Sequence, residues 1–308
     1  MLRHALIAMS RSDDLRRAVM ASPVTAGVVE RFVAGESVVD VLAAVRSLTN
    51  DGLRATVDHL GEHTTDPEKA EAATDAYLSL LDLIAGSGLS SMVEVSVKLS
   101  ALGQALPDGA AISTEHARRI CAQAASTGTT VTVDMEDHTT TDATLRTLAA
   151  LWPEYPDTGV VLQSALHRTE IDCRNLADRG VRVRLCKGAY EEPASVSYTR
   201  RRDIDRSYVR CLNVLLSGST YPMIATHDPR LIDIAAALAI RHGRSPGEYE
   251  FQMLFGVRAD EQRRLVAEGE RVRVYVPYGE DWWAYLVRRL AEKPANLALF
   301  LRAVASSS

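Results

Sequence analysis

From residue 53 onward, short runs rich in β-branched residues alternate with longer stretches whose apolar positions recur every three or four residues. The runs are Leu53 to Leu60, Met92 to Leu99, Thr129 to Met135, Gly159 to Ser164, Val181 to Lys187, Pro222 to Thr226, Tyr249 to Leu254 and Val272 to Val276. Between them, Pro67 to Ala85, Thr114 to Ser126, Asp142 to Leu151, Ile171 to Arg179 and Asp228 to Arg241 read as helices. Eight regular β-α units predict an α/β chain closed as a (βα)8 TIM-like barrel, in preference to an open doubly wound sheet. Upstream, Arg11 to Met20 and Val38 to Leu48 show helical spacing, interrupted at Pro23 and Gly35. Asn50-Asp51-Gly52 then signals a turn. The chain divides into an N-terminal helical region, residues 1–50, and a barrel, residues 51–308.

Alternate strand residues face opposite sides, and here the two sides differ in kind. Val93, Val95, Val97 and Leu99 share one face, while Glu94, Ser96 and Lys98 share the other. Val131, Val133 and Met135 oppose Thr130, Thr132 and Asp134; Val181, Val183 and Leu185 oppose Arg182, Arg184 and Cys186. Val272, Val274 and Val276 oppose Arg271, Arg273 and Tyr275. Near the start, Asp58 and Glu62 share one face, and Glu250 and Gln252 share one face of the seventh run. Parallel strands are covered by helices, so the apolar faces point outward and the polar faces into the lumen. That lumen would hold Glu94, Lys98, Asp134, Arg182, Arg184, Glu250 and Arg273, where an ordinary barrel holds Val, Ile and Leu. Buried charges persist only when paired, and the mixed signs permit pairing. Glu94, Arg182 and Arg273 suit structural ion pairs as well as function. Lys98, Asp134 and Arg184 lie toward the C-terminal strand ends, where barrel active sites are built.

Composition narrows the function. The 308 residues carry 35 basic and 40 acidic side chains, a net charge of −5, which argues against a bulk nucleic-acid or anionic-membrane binder. No apolar stretch reaches the ~18 residues of a membrane span. Cys121, Cys173, Cys186 and Cys211 are widely spaced and form neither a disulfide framework nor a zinc motif, as expected in a reducing cytoplasm.

Four segments carry candidate chemistry. Arg184 to Tyr190 delivers two cations and then Gly188-Ala189, small residues that let a flat or phosphorylated ligand approach the backbone. On the last helix, Asp281 to Glu292, the residues Tyr285, Arg288, Arg289 and Glu292 form an i, i+3, i+4, i+7 stripe. Its two guanidinium forks suit a carboxylate, and Trp282 and Trp283 could anchor the helix to an apolar surface. Asp134-Met135-Glu136-Asp137-His138, with His167, His227 and Asp228, is dense enough in acids and imidazoles to suggest a metal-dependent hydrolase. Only Asp134 and His227 sit convincingly at strand ends, so no metal is expected. In Ala225-Thr226-His227-Asp228-Pro229, Asp228 is placed to cap the next helix. No Gly-x-Gly-x-x-Gly follows a strand, so a dinucleotide would have to bind in the barrel mouth.

Taken together, Ser96-Val97-Lys98-Leu99-Ser100, Asp134 to Asp137, Arg184 to Tyr190, Ala225-Thr226-His227, Glu250-Phe251-Gln252 and Tyr285 to Leu290 with Glu292 and Asn296 resemble the proline dehydrogenase family, in its short monofunctional bacterial form. The resemblance implies a distorted barrel, non-covalent FAD, oxidation of L-proline to Δ1-pyrroline-5-carboxylate and a membrane quinone as acceptor. It implies a separate pyrroline-5-carboxylate dehydrogenase to take the product, and a peripheral position at the inner membrane face. By the resemblance, Lys98, Arg288 and Arg289 hold the proline carboxylate. Met135, Gln163, Arg184, Lys187, Gly188, Ala189, Thr226 and His227 line the flavin. Asp134, Tyr275 and Tyr285 complete the pocket, with Tyr190 and Leu254 against the ring. Asp134 and Arg184 are the expected catalytic residues. Glu191 follows the tyrosine of the Lys-Gly-Ala-Tyr motif, a position where family members vary. Oligomeric state is left open.

Overall fold

The computed structural model describes residues 23–292. Eight parallel strands close on themselves: β1 (Arg54–His59), β2 (Val93–Val97), β3 (Val131–Val133), β4 (Gly159–Gln163), β5 (Arg182–Cys186), β6 (Tyr221–Ala225), β7 (Glu250–Leu254) and β8 (Val272–Tyr278). β8 pairs back to β1, with Tyr275 opposite Thr56. The helices in chain order are α1 (Pro23–Phe32), α2 (Val38–Asn50), α3 (Pro67–Gly86), α4 (Gly109–Ser126), α5 (Thr141–Leu151), α6 (Thr169–Ala177), α7 (Arg201–Ser217), α8 (Pro229–Arg241), α9 (Ala259–Ala267) and α10 (Trp282–Glu292). Every predicted strand is present. The predicted helix over Arg11 to Met20, the Asn296 position and the side chain of Glu292 lie outside the described residues.

The helices begin where the sequence supplies caps. Ser37 and Asp40 form a reciprocal capping box at α2, and Asp66 caps α3 through the Glu68 N–H. Asp228 caps α8, as its position before Pro229 predicts. Three helices had no counterpart in the pattern reading. In α7 the charged opening, Arg201 to Arg206, masks a stripe whose buried members are Ser207, Tyr208, Cys211, Leu212, Leu215 and Leu216. In α9 only Gln262 and Leu265 are buried, too few for a period to show. α1 begins at Pro23, where the pattern predicts only an interruption.

The strand valines and leucines are buried under these helices in one continuous core, which Val41 and Val45 of α2 join. A second, smaller cluster joins Phe32, Val33 and Leu60 to Trp282, Trp283, Tyr285, Leu286 and Val287. It ties α10 to the N-terminal segment, and Trp282 Nε1 donates to Glu36 Oε1 at 2.8 Å. The two tryptophans therefore anchor α10 as expected, and α1 supplies part of the surface that receives them. Among the described residues, no helix is long and apolar enough to cross a membrane.

Candidate active site

The inward faces fill the lumen with charge, as parity predicts. Glu94 and Glu250 are fully buried, and Asp58, Lys98, Asp134, Arg184 and Arg273 nearly so. At the N-terminal end of the lumen, Arg273 engages Glu250 at 2.6 Å and approaches Glu94 at 3.8 Å, while Arg182 meets the other Glu94 oxygen at 2.5 Å. Thr56 and Thr132 also donate to Glu94. Burial alone would raise the Glu94 carboxyl, but Arg273, Arg182 and Arg184 outweigh it and hold Glu94 ionised. These ion pairs form a solid floor. Gly159 is part of the fit: a Cβ there would stand 2.9 Å from Thr132 Oγ1 and 3.1 Å from the Met223 methyl.

Arg184 joins the floor to the mouth. Its Nη2 donates to Glu94 at 3.1 Å and Thr56 at 3.4 Å, its Nη1 to Asp134 at 2.8 Å and Ser96 at 3.0 Å, and its Nε to Gln252 at 2.6 Å. That accounts for all five guanidinium donors. The guanidinium carbon also lies 5.3 Å from the centre of the Tyr275 ring. The Tyr275 hydroxyl donates to Asp134 Oδ2 at 2.7 Å, and burial with Asp134 beside it pushes that phenol far above its ordinary pKa. Lys98 Nζ sits 2.7 and 2.6 Å from the two Asp58 oxygens and 3.9 Å from Asp134. Burial opposes its charge, but Asp58, Asp134 and Glu62 overcome that and keep the ammonium protonated.

α10 closes over this mouth. Arg288 donates two bonds to Glu62, at 3.0 and 2.5 Å. Arg289 stacks over the Tyr285 ring at 5.2 Å. Burial would raise the Glu62 carboxyl, but Arg288 and then Lys98 hold it below its ordinary value. The acid on Arg288 is Glu62, 226 positions away in sequence. β1 ends at His59, so Glu62 stands in the loop beyond the strand and not on the strand face assigned by parity. In the sequence Asp58 and Glu62 are only face-mates. Their parity was the one signal of their place, and pairing with Lys98 and Arg288 appears only in three dimensions.

On the opposite side of the mouth, Lys187 contacts Asp205 at 2.6 Å and Asp228 at 3.3 Å. Arg201 and Arg230 reach the same Asp228 from solvent. Gly188 has φ +108°, and a Cβ there would come within 3.1 Å of Gln163 Oε1, so only glycine leaves this cradle open. Gln163 Nε2 donates to the Glu136 carbonyl at 2.7 Å, Met135 is buried, and Thr226 Oγ1 accepts the Asp228 N–H at 3.1 Å. His227 Nε2 accepts the Leu254 N–H at 2.9 Å, which fixes the ring with that nitrogen unprotonated. The acid and imidazole cluster is turned to protein partners: Asp134 to Arg184 and Tyr275, Glu136 to Ser100, and His138 to Glu192. Among the described residues no group of three or more His, Cys, Asp or Glu converges as metal ligands.

A closed parallel barrel with paired cations, a tyrosine and a left-handed glycine at its C-terminal mouth defines a TIM barrel whose polar groups gather at the end where barrel active sites are built. Comparison makes the class specific. The sequence profile of the proline dehydrogenase family matches residues 41–301. The chain is 42% identical to proline dehydrogenase of Deinococcus radiodurans over 276 residues, covering 89% of this chain and 88% of that one. It is 35% identical to proline dehydrogenase 1 of Bacillus subtilis over 99% of both chains. Among solved structures, proline utilization A from Bdellovibrio bacteriovorus, inactivated by N-propargylglycine, superposes with a TM-score of 0.82 at 27% identity, covering 87% of this chain. This chain spans 33% of that longer protein. The chain belongs to the proline dehydrogenase family. It is a flavin-dependent oxidoreductase that oxidises proline in proline catabolism.

Proposed function

We propose that the chain binds FAD non-covalently in the barrel mouth and oxidises L-proline to Δ1-pyrroline-5-carboxylate, passing the electrons to a membrane quinone. The observation that carries this reading is the meeting of Lys98 and Arg288 around Glu62, with Tyr275, Asp134 and Arg184 beside them. Lys98, Arg288 and Arg289 bind the substrate carboxylate, with Tyr275 and Tyr285 as walls. Met135, Gln163, Arg184, Lys187, Gly188, Ala189, Thr226 and His227 would hold the flavin. The open cradle at Gly188 fits a cofactor lying against the backbone. The cluster of Lys187, Arg201 and Arg230 around two carboxylates has a surplus cation for a diphosphate.

When bound, the flavin supplies the two-electron acceptor for the C–H bond beside the ring nitrogen. The protein's task is to orient proline and the charge around it. Arg184 already has partners for all its donors, so it acts through its buried positive charge, which favours negative charge developing above it. Asp134 uses Oδ1 on Arg184 and Ser96 and Oδ2 on Tyr275. That commitment supports an orienting role for Asp134 over proton uptake. Tyr275, fixed by this bond, crowds a 4-hydroxyl on the substrate ring.

The product is an imine acid for a separate pyrroline-5-carboxylate dehydrogenase. Use of a membrane quinone places the protein in the cytoplasm, peripheral at the inner face of the membrane. The testing experiment is the visible spectrum of the purified protein before and after anaerobic addition of L-proline. A flavin spectrum that bleaches with proline, and far more slowly with 4-hydroxyproline, is expected. A protein that takes up no flavin, or holds flavin that proline leaves unbleached, overturns the reading.

A further inference from the structure

Glu136 is a buried carboxylate at the mouth, 3% exposed, to which the chemistry above gives no task. Burial pushes its carboxyl up, and its two oxygens are spent on one residue. Ser100 Oγ donates to Oε1 at 2.6 Å, and the Ser100 N–H donates to Oε2 at 3.1 Å. Ser100 in turn receives the loop after β1: the His63 N–H donates to its hydroxyl at 3.1 Å, and the Thr64 N–H to its carbonyl at 3.1 Å. The residue so gripped is strained. His63 has φ +54°, a left-handed backbone that is unfavourable for a non-glycine residue and persists only when its surroundings impose it. Directly before His63 stands Glu62, whose carboxylate is locked on Arg288. Directly before Leu99 and Ser100 stands Lys98.

We infer that Glu136, acting through Ser100, is a positioning residue for the substrate carboxylate site. The Glu136–Ser100 bracket imposes the left-handed turn at His63, the turn aims Glu62, and Glu62 sets Arg288 opposite Lys98. The three mouth loops after β1, β2 and β3 are thereby tied together at one hydroxyl. The inference rests on the reading that Arg288 and Lys98 hold the proline carboxylate.

The test is a double-mutant cycle on the flavin-loaded protein with Ser100→Ala, Glu62→Gln and the two combined, alongside Arg288→Ala and Glu136→Gln. Ser100→Ala should raise the KM for proline about tenfold while kcat changes less than about twofold, the scale on which small misplacements act. Once Glu62 is gone, the bracket has nothing left to aim, so Ser100→Ala should add less than about twofold in the Glu62→Gln background. Glu136→Gln turns an amide N–H toward a donor of Ser100, and its KM should rise in the same direction. Ser100→Ala and Glu62→Gln effects that multiply independently, or an unchanged KM in both Ser100→Ala and Glu136→Gln, overturn the inference. Arg288→Ala separates the two levels: if it leaves KM unchanged, the carboxylate reading falls, and the inference with it.

Discussion

Arg184 and Arg288 show how two identical side chains come to do different work. Arg184 is nearly fully buried and saturated by Glu94, Asp134, Ser96, Thr56 and Gln252, so it is a fixed charge. Arg288 lies on a closing helix with a carboxylate as its partner, so its fork is matched to carboxylate geometry. Truncating each should therefore damage different steps. Arg288→Ala or Arg289→Ala should raise the KM for proline by tenfold or more, about 1.4 kcal/mol of lost binding, and leave flavin content intact. Arg184→Met should slow anaerobic flavin reduction by a similar factor while proline binding changes little. Stopped-flow reduction over a range of proline concentrations separates the two, and a normal reduction rate in Arg184→Met would contradict its role. Lys98, Asp134 and Arg184 could be read from parity because the side-chain period of a strand is fixed at two. Lys98 and Asp134 stand one residue past β2 and β3, close enough for the period to hold; Glu62 stands three residues past β1, where parity no longer fixes direction, and its partner Arg288 is distant in sequence.

At the scale of elements, α10 is the part of the site whose position rests on tertiary contacts. Its apolar residues pack on Phe32, Val33 and Leu60, and its polar edge is held by Arg288 on Glu62. The Glu62 carboxyl lies below its ordinary value of 4.5 when folded, so the contact is fully stabilising above that value. It is lost as the pH falls through the lowered folded value. The stability difference between wild type and Glu62→Gln, measured by urea unfolding, should stay constant from pH 8 to 5 and shrink below about 4.5. A difference that grows on acidification would place the stabilisation elsewhere. The stripe of Tyr285, Arg288 and Arg289 was visible as a helix face, but its docking surface was not. α1 carries part of that surface, and its sequence read only as a break at Pro23.

Across the whole molecule, the lumen balances four acids, Asp58, Glu94, Asp134 and Glu250, against four cations, Lys98, Arg182, Arg184 and Arg273. Each ion touches the opposite sign, and all but the partly buried Arg182 are buried, so removing one strands its partners. Glu94→Ala leaves Arg182 and Arg184 without their shared carboxylate and should cost about 3–5 kcal/mol of stability. Thermal unfolding of the purified variant checks this, and a loss under 1 kcal/mol would mean that water or Glu250 already screens the arginines.

The sequence alone determined the eight strands, their inner and outer faces and the charged lumen, because these follow from local period and from the rule that parallel strands are covered by helices. It also carried the motifs of Lys98, Arg184 to Tyr190 and Arg288-Arg289, since each is contiguous along the chain. Only the tertiary structure decided which polar groups meet: Asp58 on Lys98, Glu62 on Arg288, Glu94 beneath Arg184, and Glu136 on Ser100. Those pairings join residues on different strands and loops, and closure of the barrel is what brings them within a hydrogen bond of one another.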